Sequence, residues 1–494
     1  MIVLKNIQVD ILGEPLFEKV NMVIRSGDRI GIVGPNGSGK TTFMRLLASL
    51  VEADDGSLRI EQERIGYLPQ DIAYEEGETV GAFMASTPVS VRGKVLKEVG
   101  LAKVDMETLI AELSGGQKRR LALARVLGSG PTFLLLDEPT NHLDRETVGW
   151  LQDFIKGFRG GVVLISHDRS LLNSVVHKIL EIDPRTQTII EYKGNYKTYV
   201  EARDKRDALQ FDAYERQQKE KKRLEAWLAL KRQDAAIHAA PNKGKTIRAK
   251  AKYLQREILD KEVARPDARK KIKVAQLDGE VAEGKLVCRF ESVSKAFGDT
   301  PILTNASFEI RGRERVLLLG NNGTGKTTLL KMLVGETEQD SGTIKIGEAV
   351  SVGYFSQEQE SLNKDNTVLE ELESTPDLLM GDSARAVLGG FLFSGDDVFK
   401  QVSDLSLGER VRLIFAKLTN QRHELLVLDE PTNHLDIPSR EVIEAALQEF
   451  EGAILAVSHD QFFVEALGFD RKLEITRKTV QEIRESLDAS EVRD

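Results

Sequence analysis

The stretch GPNGSGKTT at residues 34–42 decides the fold of this chain, and it returns as GNNGTGKTT at residues 320–328. Both stretches have the form G-x-x-x-x-G-K-T, and each follows a short apolar run. Glycines let backbone N–H groups turn inward around an anion, and the positive end of the helix that follows points at the same place. The pattern therefore predicts two phosphate-binding loops.

Four further motifs repeat in the same order along the chain. They are GYLPQ and GYFSQ (66–70 and 353–357), LSGGQKRRLALA and LSLGERVRLIFA (113–124 and 405–416), LLLDEPTNHLD and LVLDEPTNHLD (134–144 and 426–436), and ISHD and VSHD (165–168 and 457–460). The offset is 286 residues at the first motif and 292 at the last. Shared order at a nearly constant offset identifies an internal duplication.

The two copies, called the first and second repeat below, are predicted to share one α/β fold. Apolar runs at 30–33, 133–136 and 162–165 suit strands that are buried on both faces of a mostly parallel sheet. The predicted architecture is two P-loop ATPase domains in tandem, joined by a long α-helical hairpin. We place the first domain at 1–192, the linker at 193–280, the second domain at 281–476 and a short tail at 477–494.

Composition excludes several classes of protein. Charged residues make up 30% of the 494 positions, and no stretch is apolar enough to span a membrane. The N-terminus lacks the layout of a secretory signal, so a cytoplasmic location is expected. Cys288 is the only cysteine, which excludes an internal disulfide, a Cys₄ zinc site and a cysteine-ligated iron–sulfur cluster.

The loop residues are predicted to hold ATP and Mg²⁺. Lys40 and Lys326 would reach the β- and γ-phosphates, and the hydroxyls of Thr41 and Thr327 would ligate the metal. The ATP-binding residues predicted in the two loops are Gly34, Asn36, Gly37, Gly39, Lys40, Thr41 and Thr42 in the first repeat, and Gly320, Asn322, Gly323, Gly325, Lys326, Thr327 and Thr328 in the second.

An adjacent Asp–Glu pair ends an apolar strand in each repeat. Asp137 and Asp429 are the predicted Mg²⁺ ligands, because a carboxylate at the carboxyl edge of a parallel sheet faces the bound nucleotide. Glu138 and Glu430 are the predicted general bases for the attacking water. The pair thus divides metal binding and proton abstraction between two carboxylates.

Polar residues at matching positions complete each predicted site. Gln70 and Gln357 lie 30 and 31 residues after the loop lysines, where a neutral amide can ligate Mg²⁺ or position water. His167 and His459 each lie 29 residues after the predicted base and could donate a hydrogen bond to the γ-phosphate. Ser114, Gly115 and Gly116 open a helix, which predicts a second phosphate-binding terminus.

The segment between the repeats has a charge of its own. Residues 197–273 contain 23 Lys and Arg against 12 Asp and Glu, although the whole chain has a net charge of −9. Residues 202–236 lack Gly and Pro, PNKG at 241–244 supplies a break, and Ile247, Ala251, Leu254 and Ile258 form one stripe on a return helix. Basic residues concentrate at this break, which favours RNA phosphate as a partner over a simple spacer. The predicted RNA-binding residues are Lys231, Arg232, Lys243, Lys245, Arg248, Lys250 and Lys252.

These motifs resemble the ATP-binding cassette superfamily, in which two domains pack head to tail around two ATP molecules. The resemblance implies one site, called the Lys40 site below, that joins Lys40, Gln70, Asp137, Glu138 and His167 to Ser406 and Gly408. It implies another, called the Lys326 site, that joins Lys326, Gln357, Asp429, Glu430 and His459 to Ser114, Gly115 and Gly116. It also implies that Asp144 and Asp436 lie across the interface between the two domains, called the seam below, and that Phe297 stacks on adenine. Leu12 at the aligned adenine position and Leu407 at a signature glycine depart from the pattern, so slower or weaker turnover is expected at the Lys40 site.

DEPTNHLD in both repeats, together with the basic linker, resembles the ABC-F family. That resemblance implies a monomer with an intramolecular dimer of domains, which binds the ribosome near the tRNA exit site and contacts large-subunit rRNA and tRNA with its hairpin. Two functions remain open, that of a translation factor and that of an antibiotic-resistance ribosome protection protein. The predicted tip of the hairpin, about residues 235–245, is short, which favours the translation factor. The alternatives from other classes are the ATPase subunit of a transporter and a DNA-associated ATPase. The transporter reading leaves the basic linker unexplained.

Overall fold

The structure, a computed structural model, describes residues 1–11, 13–140, 143, 145–184, 186–237, 243–259, 284–298, 300–321, 323–356, 362–375, 384–393, 395–433, 435–476 and 478–483. The chain divides into two compact units, Met1–Tyr196 with Lys271–Asp494, and Lys197–Lys270. The first unit contains both repeats, and the second lies within the linker. In the described part of the chain, no helix has both the length and the apolar character that crossing a bilayer requires.

The first repeat is a sheet of buried parallel strands with a smaller antiparallel sheet. Its strands are β1 (Ile2–Ile11), β2 (Glu14–Ile24), β3 (Arg29–Val33), β4 (Asp55–Ile60), β5 (Ile65–Leu68), β6 (Phe133–Asp137), β7 (Gly161–Ile165), β8 (Lys178–Asp183) and β9 (Thr188–Lys193). Its helices are α1 (Lys40–Leu47), α2 (Val80–Phe83), α3 (Val89–Glu98), α4 (Gly115–Gly128), α5 (Arg145–Gly157) and α6 (Arg169–Val175). The strand order is β5-β6-β7-β3-β8-β9 in the large sheet and β2-β1-β4 in the small one.

The apolar runs explain the large sheet. Every residue of β6 and of β7 is buried, as a strand covered on both faces requires. Adjacent strands from β5 to β8 are parallel, and only β9 runs antiparallel, against β8. The mostly parallel α/β fold predicted from the sequence is therefore confirmed.

The linker contains two helices, α7 (Tyr196–Ile237) and α8 (Lys243–Tyr253), and α8 continues into a π-helical turn at Leu254–Leu259. At about 1.5 Å per residue, the 42 residues of α7 span roughly 63 Å. The long first helix agrees with the prediction. The predicted break at 241–244 extends too far, because α8 already begins at Lys243.

The second repeat has the same elements in the same order. Its strands are β10 (Leu286–Phe297), β11 (Thr300–Arg311), β12 (Arg315–Leu319), β13 (Ser341–Ile346), β14 (Val352–Phe355), β15 (Leu425–Asp429), β16 (Ala453–Val457), β17 (Arg471–Thr476) and β18 (Thr479–Ile483). Its helices are α9 (Lys326–Leu333), α10 (Val368–Glu373), α11 (Ala384–Gly390), α12 (Leu407–Leu418), α13 (Ile437–Glu449) and α14 (Gln461–Leu467). The strand orders are β14-β15-β16-β12-β17-β18 and β11-β10-β13.

Parallel pairing brings the motif residues of each repeat to one edge of its sheet. The loop before α1 follows β3, Asp137 ends β6, and His167 comes two residues after β7. Because β3 and β6 both pair with β7, the carboxyl ends of these strands lie side by side. The apolar core beneath them joins the two sheets through Phe17, Phe43 and Phe133.

Candidate nucleotide sites

Each loop lysine bends back over its own loop. Lys40 Nζ donates to the carbonyl oxygens of Gly34 and Pro35 at 2.9 and 2.8 Å. Lys326 Nζ makes the same contacts with Gly320 and Asn321, at 2.8 and 3.0 Å. Burial lowers the pKa of both lysines, and the carboxylates across the site oppose that shift. Two buried cations thus lie at the start of α1 and α9, where a phosphate group would compensate them.

Glycine is required immediately before each lysine. Gly39 and Gly325 cap α1 and α9 with φ of 90° and 97°, in the left-handed region that side chains rarely adopt. A Cβ on Gly39 would lie 2.6 Å from Leu16 Cδ2, and one on Gly325 would lie 2.4 Å from Ile302 Cγ2. The loop therefore admits only glycine at this position. Gly37 and Gly323 also have positive φ, but a Cβ there would meet open space.

The predicted metal ligands have free oxygen atoms. Asp137 Oδ1 and Asp429 Oδ2 are buried and have no hydrogen-bond partner. Burial raises the pKa of both carboxyls, whereas hydrogen bonds from the Thr41 and Thr327 hydroxyls lower it. A hydroxyl and a buried carboxylate oxygen beside a phosphate loop are oxygen donors of the kind that Mg²⁺ takes. The residues present therefore fit the metal.

The predicted bases share an unusual backbone conformation. Glu138 and Glu430 have φ of 45° and 48°, a region that costs a residue other than glycine of order 1–3 kcal/mol. Burial raises the pKa of each carboxyl from its ordinary 4.5 to about 7. A carboxylate with a pKa near neutrality is well matched to proton abstraction. The two repeats agree in both respects.

A histidine lies against each of these carboxyls. His167 Nε2 is 3.3 Å from Glu138 Oε1, and His459 Nε2 is 3.4 Å from Glu430 Oε1. The backbone N–H of His167 also donates to Glu138 Oε2 at 3.3 Å. Burial lowers the pKa of His167 to about 3, and the positive charges of Lys40 and Arg440 add to the shift. His167 is therefore a neutral imidazole in contact with Glu138 and not its ion-pair partner.

The signature serines cap their helices. Ser114 Oγ accepts from the N–H of Gln117 at 3.2 Å and caps α4, and Ser406 Oγ accepts from the N–H of Glu409 at 3.3 Å and caps α12. Ser406 Oγ also donates to Glu409 Oε2 at 2.6 Å. Gly115 and Gly116 lie in the first turn of α4, and Leu407 and Gly408 in that of α12. The helix start predicted at Ser114 is confirmed. At the start of α12, Glu409 Oε2 competes as an acceptor for the Ser406 hydroxyl.

The second repeat reaches into the site of the first. Asp436, which caps α13, accepts a hydrogen bond from the backbone N–H of Asn36 at 3.0 Å. Arg412 of α12 donates to Ser439 Oγ at 2.7 Å, and the Ser439 N–H donates to Asp436 Oδ1 at 3.0 Å. The signature helix of the second repeat is thus joined to the phosphate loop of the first. This is the arrangement that the resemblance implied for Asp436.

The remaining predicted residues are placed as follows. Thr42 and Thr328 lie in the first turns of α1 and α9, and Gln70 follows β5. Phe297 ends β10, and 56% of its surface is exposed. Lys295 Nζ lies 5.5 Å from the centre of the Phe297 ring. Leu12, Asp144, Asn322 and Gln357 fall outside the described residues.

The sequence analysis did not predict a role for Arg119 at the Lys40 site. Arg119 of α4 is buried and donates to four backbone carbonyls, those of Pro69, Gln70, Asp137 and Glu138, at 2.9, 2.7, 2.8 and 2.5 Å. It therefore holds the glutamine loop against the Asp–Glu pair. The signal was available, since the duplication aligns Arg119 with Val411, which cannot make these bonds.

The two linker helices pack through a small apolar cluster. Leu224 and Leu228 of α7 contact Leu254, and Trp227, Ile247 and Ala251 flank them. Lys250 Nζ lies 5.0 Å from the centre of the Trp227 ring, and Tyr253 Oη donates to Glu220 at 3.2 Å. The predicted hairpin is therefore confirmed. Arg248, Lys250 and Lys252 are exposed and Lys231 is half-buried, whereas the side chains of Arg232, Lys243 and Lys245 lie outside the described residues.

Comparison with known proteins agrees with this architecture. A protein-family model described as ABC transporter matches residues 17–141 and 303–433, and a second model with that description matches 182–275. Ribosome protection protein VmlR of Bacillus subtilis is 32% identical over 94% of this chain and 85% of its own length. The energy-dependent translational throttle protein EttA of Escherichia coli K12 is 33% identical over 92% and 88%. The chain belongs to the ABC-F family.

As an ABC-F protein, the chain is an ATPase with two nucleotide-binding domains. The solved structure titled RNase-L Inhibitor aligns with 95% of this chain and 88% of its own, with a TM-score of 0.63 and 21% identity. At that identity the likeness concerns the fold alone, and it supports the tandem arrangement of the repeats.

Proposed function

We propose that this ABC-F ATPase binds the ribosome near the tRNA exit site and modulates translation through its hairpin. The relatives EttA and VmlR support the proposal, because their names describe a translational throttle and a ribosome protection protein. The exposed basic side chains of α8, those of Arg248, Lys250 and Lys252, carry it from the structure. Action on ribosomes would place the protein in the cytoplasm.

The charge of the hairpin is separate from its packing. The helices meet through Leu224, Leu228 and Leu254, while Arg248 and Lys252 point into solvent on α8. Cations that contribute nothing to a core are available for phosphate, which supplies most of the sequence-independent affinity for nucleic acid. We therefore assign this face of α8 to large-subunit rRNA and tRNA.

The assignment of the two ATP sites is also a proposal. Lys40 and Lys326 bind the β- and γ-phosphates, Thr41 with Asp137 and Thr327 with Asp429 hold Mg²⁺, and Glu138 and Glu430 accept the proton of the attacking water. When bound, Mg²⁺ neutralises phosphate charge. Gln70 and Gln357 would ligate Mg²⁺ or position water. His167 and His459 donate a hydrogen bond to the γ-phosphate. Phe297 packs on adenine. Ser406 and Gly408 complete the Lys40 site, and Ser114, Gly115 and Gly116 complete the Lys326 site.

Both sites belong to one chain in this proposal. The bond from Asn36 to Asp436 and the shared compact unit support a monomer whose repeats act as an intramolecular dimer. Ribosome protection against an antibiotic is the second candidate. It is favoured by VmlR, whose identity to this chain is within one percentage point of that of EttA.

The test compares two pairs of basic residues on the hairpin. Arg248→Ala with Lys252→Ala removes charge from exposed positions on α8, and Lys219→Ala with Lys222→Ala removes the same charge from exposed positions on α7. Affinity for ribosomes is measured by pelleting across a series of salt concentrations. Each phosphate contact that is lost should reduce the salt slope by about 0.7–0.9. We expect this reduction from the first pair only, with the melting temperature and basal ATPase unchanged. Equal behaviour of both pairs and the wild type would make the hairpin a spacer.

A further inference from the structure

A buried cluster of four charged side chains lies where the repeats meet. Arg169, at the start of α6, donates to both carboxylate oxygens of Glu444 on α13 and, at 2.9 Å, to Asp460 Oδ2. Arg440, also on α13, donates to the same oxygen of Asp460 at 3.2 Å. These side chains are between 3% and 12% exposed. Such a buried network is costly to disturb, because removing one member leaves an uncompensated charge.

Arg440 has a second contact, which belongs to the Lys40 site. Its Nη1 donates to the carbonyl oxygen of His167 at 2.9 Å, and its Nε donates to Leu435 O at 3.0 Å. The guanidinium is therefore fixed at both ends and holds the backbone at His167. That backbone places the imidazole Nε2 3.3 Å from Glu138 Oε1. The backbone N–H of His167 donates to Oε2 of the same carboxylate.

Three of the four cluster residues are replaced at the corresponding positions of the duplication, and only the aspartate is kept, as Asp168. With the offset of 292 residues, the position of Arg440 is occupied by Val148 in the first repeat, that of Glu444 by Gln152, and that of Arg169 by Gln461 in the second. A valine side chain has no donor for a carbonyl, so His459 cannot be held in this way. The duplication has kept the histidines and changed what supports one of them.

We propose that Arg440 is a positioning residue which the second repeat supplies to the Lys40 site, and that hydrolysis at the Lys326 site does not use an equivalent. Arg440 holds His167, and through it Glu138, only while the repeats are in contact. Arg169 fixes Asp460 independently of Arg440, so the strand end at His459 keeps its support when Arg440 is replaced. The inference concerns ATP hydrolysis and does not depend on ribosome binding.

The test measures Arg440→Val, the residue of the other repeat, at one site at a time. Glu430→Gln leaves the Lys40 site active, and Glu138→Gln leaves the Lys326 site active. In the Glu430→Gln background we expect Arg440→Val to lower kcat about tenfold, the effect of one charge-assisted hydrogen bond, with KM nearly unchanged. In the Glu138→Gln background kcat should change less than about twofold. Arg440→Lys, which keeps a donor, should restore part of the loss.

The controls separate positioning from structure. Glu449→Gln, an exposed position on the same helix, should leave kcat unchanged in both backgrounds. An equal loss of kcat from Arg440→Val at both sites, or no loss at the Lys40 site, would overturn the proposal. If Arg440→Val does not fold, Arg440→Lys decides by the same comparison of backgrounds. If neither Gln background alone lowers ATPase, the assignment of the bases is wrong, which is a different failure.

Discussion

The two nucleotide sites have the same chemical groups and different supports. Both have a loop lysine, an unpartnered aspartate oxygen, and a glutamate in the left-handed region with a pKa of about 7. Arg119 of the first repeat and Arg440 of the second additionally hold the backbone of the Lys40 site. Their equivalents in the duplication are Val411 and Val148, so the Lys326 site has valine at both positions. After duplication, the reacting groups stayed the same and the residues that fix the backbone diverged. Two sites of equal chemistry are therefore expected to work unequally.

Replacement of each base alone gives the largest expected effect. Loss of a general base typically lowers the rate by about 10²–10⁴-fold, so Glu138→Gln and Glu430→Gln should each silence one site. We expect Glu430→Gln to retain less ATPase than Glu138→Gln. The reasons are the leucines at positions 12 and 407 and the acceptor that Glu409 offers to Ser406 in the Lys40 site. Single-turnover hydrolysis measures this, and equal residual rates in the two variants would remove the asymmetry.

Removing Arg119 should weaken the Lys40 site further and destabilise the fold around it. Arg119→Val leaves four buried carbonyls without their donor, which should lower the free energy of unfolding by about 2–4 kcal/mol. In the Glu430→Gln background, hydrolysis should fall by about tenfold or more, because Gln70 and Glu138 are no longer held together.

Lys118→Met is the matched control for Arg119, because it changes the preceding residue of the same helix and loses only a contact with Tyr74 at 3.2 Å. It should leave both the melting temperature and the rate close to the wild type. If Arg119→Val folds and hydrolyses like this control, the four carbonyl contacts have no role in the site.

The raised pKa of Glu138 gives a smaller effect, on stability. Its pKa rises from 4.5 to about 7 on folding, so ionisation costs stability as pH rises through that interval. At pH 8 and without nucleotide, Glu138→Gln should therefore be more stable than the wild type by about 3 kcal/mol, and the difference should vanish as pH falls towards 4.5. Thermal melting across pH measures it, with exposed Glu449→Gln as the control. A pH-independent difference would mean that Glu138 is not ionised at a cost in the folded chain. The same pKa predicts that ATPase falls below pH 7, as the base becomes protonated.

Much of this architecture follows from the sequence. The motif order predicted the duplication, the apolar runs predicted the buried strands, and the spacing of Ile247, Ala251 and Leu254 predicted the contact with α7. These features depend on local patterns that repeat along the chain. Strand pairing then brings Lys40, Asp137 and His167 to one edge without further information.

The supports of the site could not be predicted in the same way. Contacts such as those of Arg119 and Arg440 join residues that are far apart in sequence, up to 273 positions for Arg440 and His167. No local pattern marks a guanidinium that binds carbonyl oxygens. The positive φ of Glu138 also has no signal in the residue type, because glutamate rarely adopts it. Comparison of the repeats shows that these positions differ, and only the fold shows what they contact.

Ribosome pelleting of the Glu138→Gln, Glu430→Gln double variant tests the central claim most directly. The variant keeps the lysines and the metal ligands, so it should bind ATP, hydrolyse it about 10²–10⁴-fold more slowly and remain with the repeats closed. The proposed function predicts that it sediments with ribosomes in ATP and stays in the supernatant in ADP. ATP turnover at the wild-type rate, or the same distribution in both nucleotides, would contradict it.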